Sequence, residues 1–200
     1  MVPPTDPDAL FEQLPALAGR PRHVTELPGG LTNRNFKVAT SDGVYVARCS
    51  GTGPNLLGID RDNEYVNSCA AAAAGVGAPV IDYRPDLGVL LVGFIEGTAL
   101  TNADLQDPAV LTRVADGCRA LHAGPRFRDT FDMFALQPAY LKVLRDNGFR
   151  LPPGYDDHAP TFEEIRRVLQ ACDGGATTTV PCNNDLLAAN FIDDGHRVWL

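Results

Sequence analysis

Two residues near the end of the chain, Asp185 and Asn190, have the types and the spacing of a phosphoryl-transfer site. They lie in the segment Pro-Cys-Asn-Asn-Asp-Leu-Leu-Ala-Ala-Asn, residues 181–190, where apolar residues separate the acid from the amide. Such a carboxylate can orient and deprotonate an attacking hydroxyl, and such an amide can hold Mg²⁺ against nucleotide phosphates. The alternative is an Asn/Asp-rich turn, of the kind that residues 193–195 also predict. The predicted order of a strand, a polar loop and a β-hairpin favours the phosphoryl-transfer interpretation.

A glycine turn near residue 30 is a second candidate for contact with phosphate. Gly29 and Gly30 lie between two predicted strands, and without a Cβ they allow backbone N–H groups to approach phosphate oxygens. Thr32 and Asn33 add polar side chains at the tip of the turn. For the two glycines alone, an ordinary tight hairpin remains the alternative.

A possible ion pair between Arg48 and Glu64 is the third feature. Arg48 lies in a predicted strand among apolar neighbours, and Glu64 lies on the next predicted helix, from which it could reach back. Kinases hold the α- and β-phosphates with a strand cation that a helix carboxylate orients. Arginine can serve in this role because its guanidinium fork binds phosphate bidentately. Exposed arginines on strands are common, so Arg48 alone indicates little.

The elements that must position these residues change in type along the chain. Strands are predicted in the first half, around one inserted helix that Asp60 caps, at residues 23–27, 35–39, 44–49, 79–83 and 88–95. A short helix is predicted before them over residues 8–14. Further helices are predicted at residues 107–124, 131–147 and 162–172, with a loop over 148–160 and short strands over 177–182 and 190–200.

This order predicts a two-lobed α+β fold. The N-terminal lobe, residues 1–96, would be an antiparallel β nucleotide-binding lobe that ends at a hinge near residues 93–97. The helical C-terminal lobe, residues 98–200, would carry the catalytic loop at residues 182–190.

The composition argues against several classes of protein. The chain has 200 residues, of which 44% are hydrophobic, and a formal net charge of −8. An acidic protein does not suit a polyanion, so nucleic acid is not an expected partner. Five scattered cysteines without a C-x-x-C pair favour reduced thiols over disulfides or a zinc site. The N-terminal segment lacks the features of a secretory signal and no apolar run has membrane-spanning length, so the expected location is the cytoplasm.

Together these segments resemble the choline/ethanolamine kinase family, within the wider aminoglycoside-phosphotransferase-like group, over roughly residues 25–200. The similarity covers five segments. They are the phosphate loop (residues 29–36), the arginine-bearing strand (45–48), the opening of the helix with the pairing glutamate (59–64), the hinge (92–100) and the catalytic loop (184–190). Arginine at position 48 favours the choline kinases, because the aminoglycoside kinases usually have lysine there.

The resemblance implies a protein-kinase-like fold and a role for each candidate residue. Asp185 would be the catalytic base, Asn190 a Mg²⁺ ligand and Arg48 a phosphate-binding residue that Glu64 orients. Gly29, Gly30, Thr32 and Asn33 would belong to the phosphate loop. The cofactors would be ATP and Mg²⁺, and the reaction would be phosphorylation of the hydroxyl of choline or a related amino alcohol, a small cationic substrate.

Two departures from the family pattern keep other functions open. Asn183 stands where the family usually has histidine, and the second metal-binding aspartate is expected just beyond Leu200. The helical lobe is therefore expected to be incomplete, with little turnover by this chain alone. The alternatives are a kinase for an aminoglycoside, thiamine or another small alcohol, and a non-catalytic nucleotide-binding module.

Overall fold

A five-stranded antiparallel sheet forms most of the first half of the chain. The structure is a computed structural model, and it describes residues 7–28, 33–51, 58–172 and 179–200. The strands are paired in the order β1-β2-β3-β5-β4. Their bounds are β1 Arg22–Leu27, β2 Asn33–Thr40, β3 Val44–Ser50, β4 Val80–Arg84 and β5 Val89–Gly93. The predicted strands are confirmed, with ends that differ by at most two residues.

The two faces of this sheet have different roles because side chains alternate along a strand. One face carries the buried residues Phe36, Val38, Ala47 and Cys49 and packs under the N-terminal segment, whose helix α1 is Pro7–Phe11. Asn33, Asn35, Lys37 and Arg48 alternate with these core residues on β2 and β3 and therefore lie on the opposite face. Asn33 and Arg48, two of the candidate phosphate-binding residues, thus share one side of the sheet.

Helix α2, Arg61–Ala73, connects β3 to β4. As predicted, Asp60 caps it: its carboxylate accepts hydrogen bonds from the backbone N–H groups of Asp62 and Asn63. The ring of Tyr65 on α2 stacks on Tyr83 of β4 with a centroid distance of 4.5 Å. This stacking attaches the start of α2, and therefore Glu64, to the sheet.

A second core lies around a small three-stranded sheet of β6 Thr98–Ala99, β7 Ile192–Asp193 and β8 Val198–Trp199. Helix α3, Pro108–His122, packs on it after an N-cap at Asp107, as the sequence predicts. The buried residues of this core are Leu100, Val110, Ala188, Phe191 and Val198.

The described residues divide into two compact units. The first contains the described residues up to 51, residues 59–128 and residues 180–200, so the expected hinge near residues 93–97 lies inside it. The second contains residues 129–172, with helices α4, Met133–Asp146, and α5, Ala159–Cys172. Within the second unit, Phe134 packs on Phe162 with a ring-centroid distance of 5.2 Å. The division into an N-terminal and a C-terminal lobe stays a prediction.

Two predicted helix bounds are wrong. The first helix ends at Phe11 instead of residue 14. The N–H groups of Gln13 and Leu14 bond three residues back, to the carbonyls of Leu10 and Phe11, which is a tighter turn than that of an α-helix. Helix α5 begins at Ala159, three residues earlier than predicted. Pro160 does not prevent this start, since the first turn of a helix has no use for the missing N–H.

The strand predicted over residues 177–182 is also corrected. Its first two positions lie outside the described residues, and residues 179–182 are not in a strand. Pro181 cannot donate a ladder hydrogen bond, which weakens strand pairing there. None of the described helices is long and apolar enough to cross a membrane.

Candidate active site

The structure brings Asp185 and Asn190 together in one loop. The Asn190 side-chain amide donates a hydrogen bond of 2.8 Å to the backbone carbonyl of Asp185. With its nitrogen held in this way, the Asn190 side chain directs its oxygen away from that bond. The Asp185 residue is exposed. The loop therefore presents a carboxylate and an amide oxygen, which are both ligand types that Mg²⁺ prefers.

Buried apolar neighbours hold this loop in place. Ala188 and Phe191 are 6% and 1% exposed and belong to the second core. The Phe191 carbonyl also accepts a hydrogen bond from the Leu100 N–H at 2.9 Å. The apolar residues that flank Asn190 therefore fix the backbone, while the polar side chains of the loop stay accessible.

Asn183, which stands where the resemblance leads us to expect histidine, has a structural role in the loop. Its Oδ1 accepts a hydrogen bond of 2.9 Å from the backbone N–H of Asp185. This bond closes a turn over residues 183–185 and orients the backbone that carries the carboxylate. Asparagine therefore holds the loop through a neutral hydrogen bond.

The ion pair between Arg48 and Glu64 is present. Nη2 of Arg48 lies 3.0 Å from Oε1 of Glu64, and the two side chains are 40% and 19% exposed. The other carboxylate oxygen, Oε2, accepts a hydrogen bond of 2.7 Å from Nη1 of Arg61. One carboxylate thus serves two guanidinium groups, and the three side chains have a net charge of +1. Sequence reasoning missed Arg61, although its i, i+3 spacing from Glu64 places both on one helix face.

Asn35 is a second residue that sequence reasoning missed. It lies directly across from Arg48 in the pairing of β2 with β3. The side-chain oxygens of Asn33 and Asn35 are buried and have no hydrogen-bond partner within the described part of the chain. A buried acceptor without a partner costs about 1–3 kcal/mol, so both oxygens suit a donor from a ligand or from water. The signal in the sequence was the alternation of side chains along β2 and β3, which puts both asparagines on the face of the sheet that carries Arg48.

The other predicted phosphate-loop residues, Gly29, Gly30 and Thr32, lie outside the described residues. Their contact with phosphate stays a prediction. Within the described residues, no group of three or more His, Cys, Asp or Glu side chains is placed to hold a metal ion. The roles of Asp185 as the catalytic base and of Asn190 as a Mg²⁺ ligand stay predictions.

The hairpin after the loop is fixed by two strongly held carboxylates. The Arg113 guanidinium, 2.5 Å from Asp193, lowers the pKa of that carboxyl group. The backbone N–H of Arg197 and the indole N–H of Trp199 lower the pKa of Asp194 to about 2. Both carboxylates therefore stay charged near neutral pH. Asp193 anchors β7 to α3 through Arg113, and Asp194 anchors β8 to the turn through Trp199.

An open cavity of about 520 Å³ lies beside residues 96–98. Four acidic residues line it: Glu96, Asp104, Asp193 and Asp194. The last three already accept hydrogen bonds from Thr101, Arg113 and Trp199, respectively. The described lining includes none of the residues predicted to bind phosphate or metal, and its acidity is unfavourable for phosphate.

The chain has an antiparallel sheet with an arginine that a helix carboxylate orients, then helices, and then an Asp–Asn loop before a hairpin. This order of elements defines the fold of kinase-like phosphotransferases. Residues 23–198 match the model of the phosphotransferase enzyme family, APH, and the chain belongs to this family. A comparison with curated proteins gives no significant match.

Several solved structures are similar to the chain. A choline/ethanolamine kinase family protein from Mesorhizobium loti is 32% identical, with a TM-score of 0.74 over 96% of this chain and 61% of that protein. The choline kinase LicA from Streptococcus pneumoniae is 19% identical, with a TM-score of 0.74 over 97% of this chain and 66% of LicA, and LicA has also been solved in complex with AMP.

A more distant structure shows the same fold. The aminoglycoside phosphotransferase APH(4)-Ia is 20% identical, with a TM-score of 0.54 over 88% of this chain and 64% of that protein. The chain thus spans 61% to 66% of the length of these three solved proteins.

Proposed function

We propose that the protein is an ATP-dependent kinase that phosphorylates the hydroxyl of choline or a related amino alcohol. The ion pair of Arg48 with Glu64 at 3.0 Å carries the proposal, because this pairing orients the phosphate-binding cation in kinases. The choice of acceptor is supported by the 32% identity with a choline/ethanolamine kinase family protein. Arginine at position 48 also supports this choice of acceptor, because the choline kinases tend to use arginine there.

The residues present fit Mg²⁺ and ATP. The two guanidinium groups around Glu64 leave one net positive charge for phosphate, and Asn190 offers an amide oxygen as a ligand for Mg²⁺. When bound, ATP would supply the phosphoryl group and Mg²⁺ would neutralise part of its negative charge.

The chain's own residues would then have separate roles in the phosphoryl transfer. The acceptor hydroxyl oxygen would bond to the γ-phosphorus as the bond to the β–γ bridging oxygen breaks and ADP leaves. Asp185 would orient this hydroxyl and accept its proton. Arg48 would hold the α- and β-phosphates while Glu64 keeps its guanidinium oriented, and Asn190 would offer its amide oxygen to Mg²⁺.

A cytoplasmic location belongs to the same proposal. ATP is the proposed phosphoryl donor, and the cysteines whose side chains the structure describes, Cys49, Cys69, Cys118 and Cys182, are free thiols. The proposed partners are Mg-ATP and a small cationic alcohol, and the net charge of −8 is compatible with a cationic substrate.

A phosphotransfer assay with labelled ATP and a panel of acceptors tests the proposal. Choline and ethanolamine are expected to be phosphorylated, at low turnover when the 200-residue chain is tested alone, and thiamine, spectinomycin and other aminoglycosides are not. Asp185→Asn is expected to lower transfer by at least about 100-fold, because general base catalysis contributes that much, while Mg-ATP binding persists. Asp129→Asn, an exposed position, is the matched control and should transfer normally.

A non-catalytic nucleotide-binding module is the second candidate, and the neutral Asn183 favours it. It predicts Mg-ATP binding without transfer to any acceptor on the panel. Transfer to an aminoglycoside or to thiamine in preference to choline would contradict the proposed substrate and leave the phosphotransferase assignment intact.

A further inference from the structure

We propose that Arg61 is a positioning residue for the phosphate-binding ion pair, because it holds one carboxylate oxygen of Glu64 and thereby presents the other to Arg48. The inference rests on the proposed function, since it takes Arg48 to be the residue that binds nucleotide phosphate.

The hydrogen-bond geometry is the first support. Nη1 of Arg61 lies 2.7 Å from Oε2 of Glu64, and Nη2 of Arg48 lies 3.0 Å from Oε1. Arg61 and Glu64 occupy the first turn of α2 at i, i+3 spacing, so their side chains meet on one helix face. With Oε2 occupied, rotation of the carboxylate is restricted, and Oε1 stays directed at Arg48.

Partial burial makes this contact stronger than a surface ion pair. The Glu64 and Arg61 side chains are 19% and 28% exposed. Together with Arg48 they line a cavity of about 30 Å³, which Tyr83 and Leu90 also border. Apolar walls screen charges less than bulk water does. The chain offers a contrast in Arg119 and Asp116, an ion pair of the same spacing whose side chains are 73% and 65% exposed.

The charges around the first turn of α2 also support a positioning role for Arg61. Asp62 accepts a hydrogen bond from the Tyr83 hydroxyl, and Asp60 caps the helix, so these two carboxylates have other partners. Glu64 is the acid that Arg61 and Arg48 share. Without Arg61, the whole charge of Glu64 would neutralise Arg48, and the net charge of +1 at the phosphate-binding position would fall to zero.

This arrangement predicts a loss of affinity that depends on phosphate. Arg61→Gln is expected to weaken binding of Mg-ADP and Mg-ATP by roughly 3- to 10-fold, a range typical of the loss of one partly buried ion pair. Adenosine, which lacks phosphate, should bind as it does to the wild type. Isothermal titration calorimetry measures the first two ligands, and ligand-observed NMR measures adenosine, with the whole 200-residue chain.

Two variants separate positioning from a general structural role. Arg61→Lys keeps the charge and is expected to restore ADP affinity to within about 3-fold of the wild type. Arg119→Gln removes the exposed ion pair of the same spacing and should change none of the affinities. If Arg61→Gln does not fold by circular dichroism, Arg61→Met replaces it, because methionine keeps an apolar stem in the same space.

The outcomes distinguish this inference from the proposed function. If Arg61→Gln binds ADP like Arg119→Gln while Arg48→Gln loses ADP affinity, the positioning role is overturned and the nucleotide site stands. Equal losses for adenosine and ADP would overturn it too, since they indicate a general structural defect. If the wild type binds neither ADP nor ATP, the proposed function itself fails.

Discussion

Glu64 is the residue on which most of the proposed nucleotide site depends, because its two oxygens orient two arginines. Its position could be predicted from the sequence, since it lies one turn into a helix that Asp60 visibly caps. Its second partner could not, because an arginine at i, i+3 on a helix is usually a solvent-exposed pair of small effect. Only the packing of α2 against the sheet shows that Arg61 and Arg48 reach the same carboxylate.

Asp194 leads to a prediction about pH. Its pKa is lowered from 3.8 to about 2 by the backbone N–H of Arg197 and then by the Trp199 indole. A carboxylate whose pKa is lower in the folded state stabilises the fold above its unfolded pKa, and this contribution is lost as pH falls through the folded value. Asp194→Asn should therefore lower the Tm near pH 7, and the difference from the wild type should shrink between about pH 4 and about pH 2.

Calorimetric melting of both proteins across this pH range measures the effect. Asp129→Asn, at an exposed position, is the control and should give a Tm difference from the wild type that is small at every pH. A difference between Asp194→Asn and the wild type that stays constant down to about pH 2 would show that the stabilisation is not linked to ionisation of this carboxyl group.

At the scale of elements, local signals predicted most of the fold. The strands alternate, Asp60 and Asp107 cap their helices, and glycine turns separate the hairpins, so each element could be recognised from its own residues. The corrected elements depend on tertiary context. The segment at residues 179–182 has strand-like composition without a strand partner, and Asn35 is a candidate only because β2 pairs with β3 in the register that puts it opposite Arg48.

Gly97 shows how one small residue lets the segment after the large sheet meet β7. A Cβ at this position would lie 2.7 Å from the backbone oxygen of Asp193 and 2.7 Å from a methyl carbon of Ile192. The Asp193 backbone, unlike the end of a flexible side chain, cannot move aside at low energetic cost. Gly97→Ala is therefore expected to destabilise the protein by about 1–3 kcal/mol, as overpacking does. Urea unfolding measures the change.

Gly43→Ala is the matched control for this substitution. Its Cβ would lie 3.1 Å from the Tyr45 hydroxyl oxygen, at the end of a side chain that can move. It should therefore cost clearly less than Gly97→Ala. Equal costs for the two variants would mean that the contact of residue 97 with β7 does not limit the packing there.

At the scale of the whole molecule, both parts of the candidate site belong to the same compact unit. This unit contains residues 59–128 and 180–200 along with the described residues up to 51, and it has two separate apolar cores. One core supports the sheet that carries Arg48, and the other supports the loop that carries Asp185 and Asn190. A ligand that contacts both parts would therefore link the two cores of this unit and stabilise it.

Mg-ATP is accordingly expected to raise the thermal stability of the protein. At a free concentration of about 100 times its Kd, a ligand that binds only the folded state adds about 2.7 kcal/mol. Differential scanning fluorimetry should show a rise in Tm with Mg-ATP, and a smaller rise with ATP and EDTA because the contribution of Asn190 through Mg²⁺ is lost. Arg48→Gln should reduce the rise, whereas Arg119→Gln should keep it. An equal rise in Arg48→Gln and the wild type would mean that Arg48 does not bind phosphate, and both proposals about this site would then lose their support.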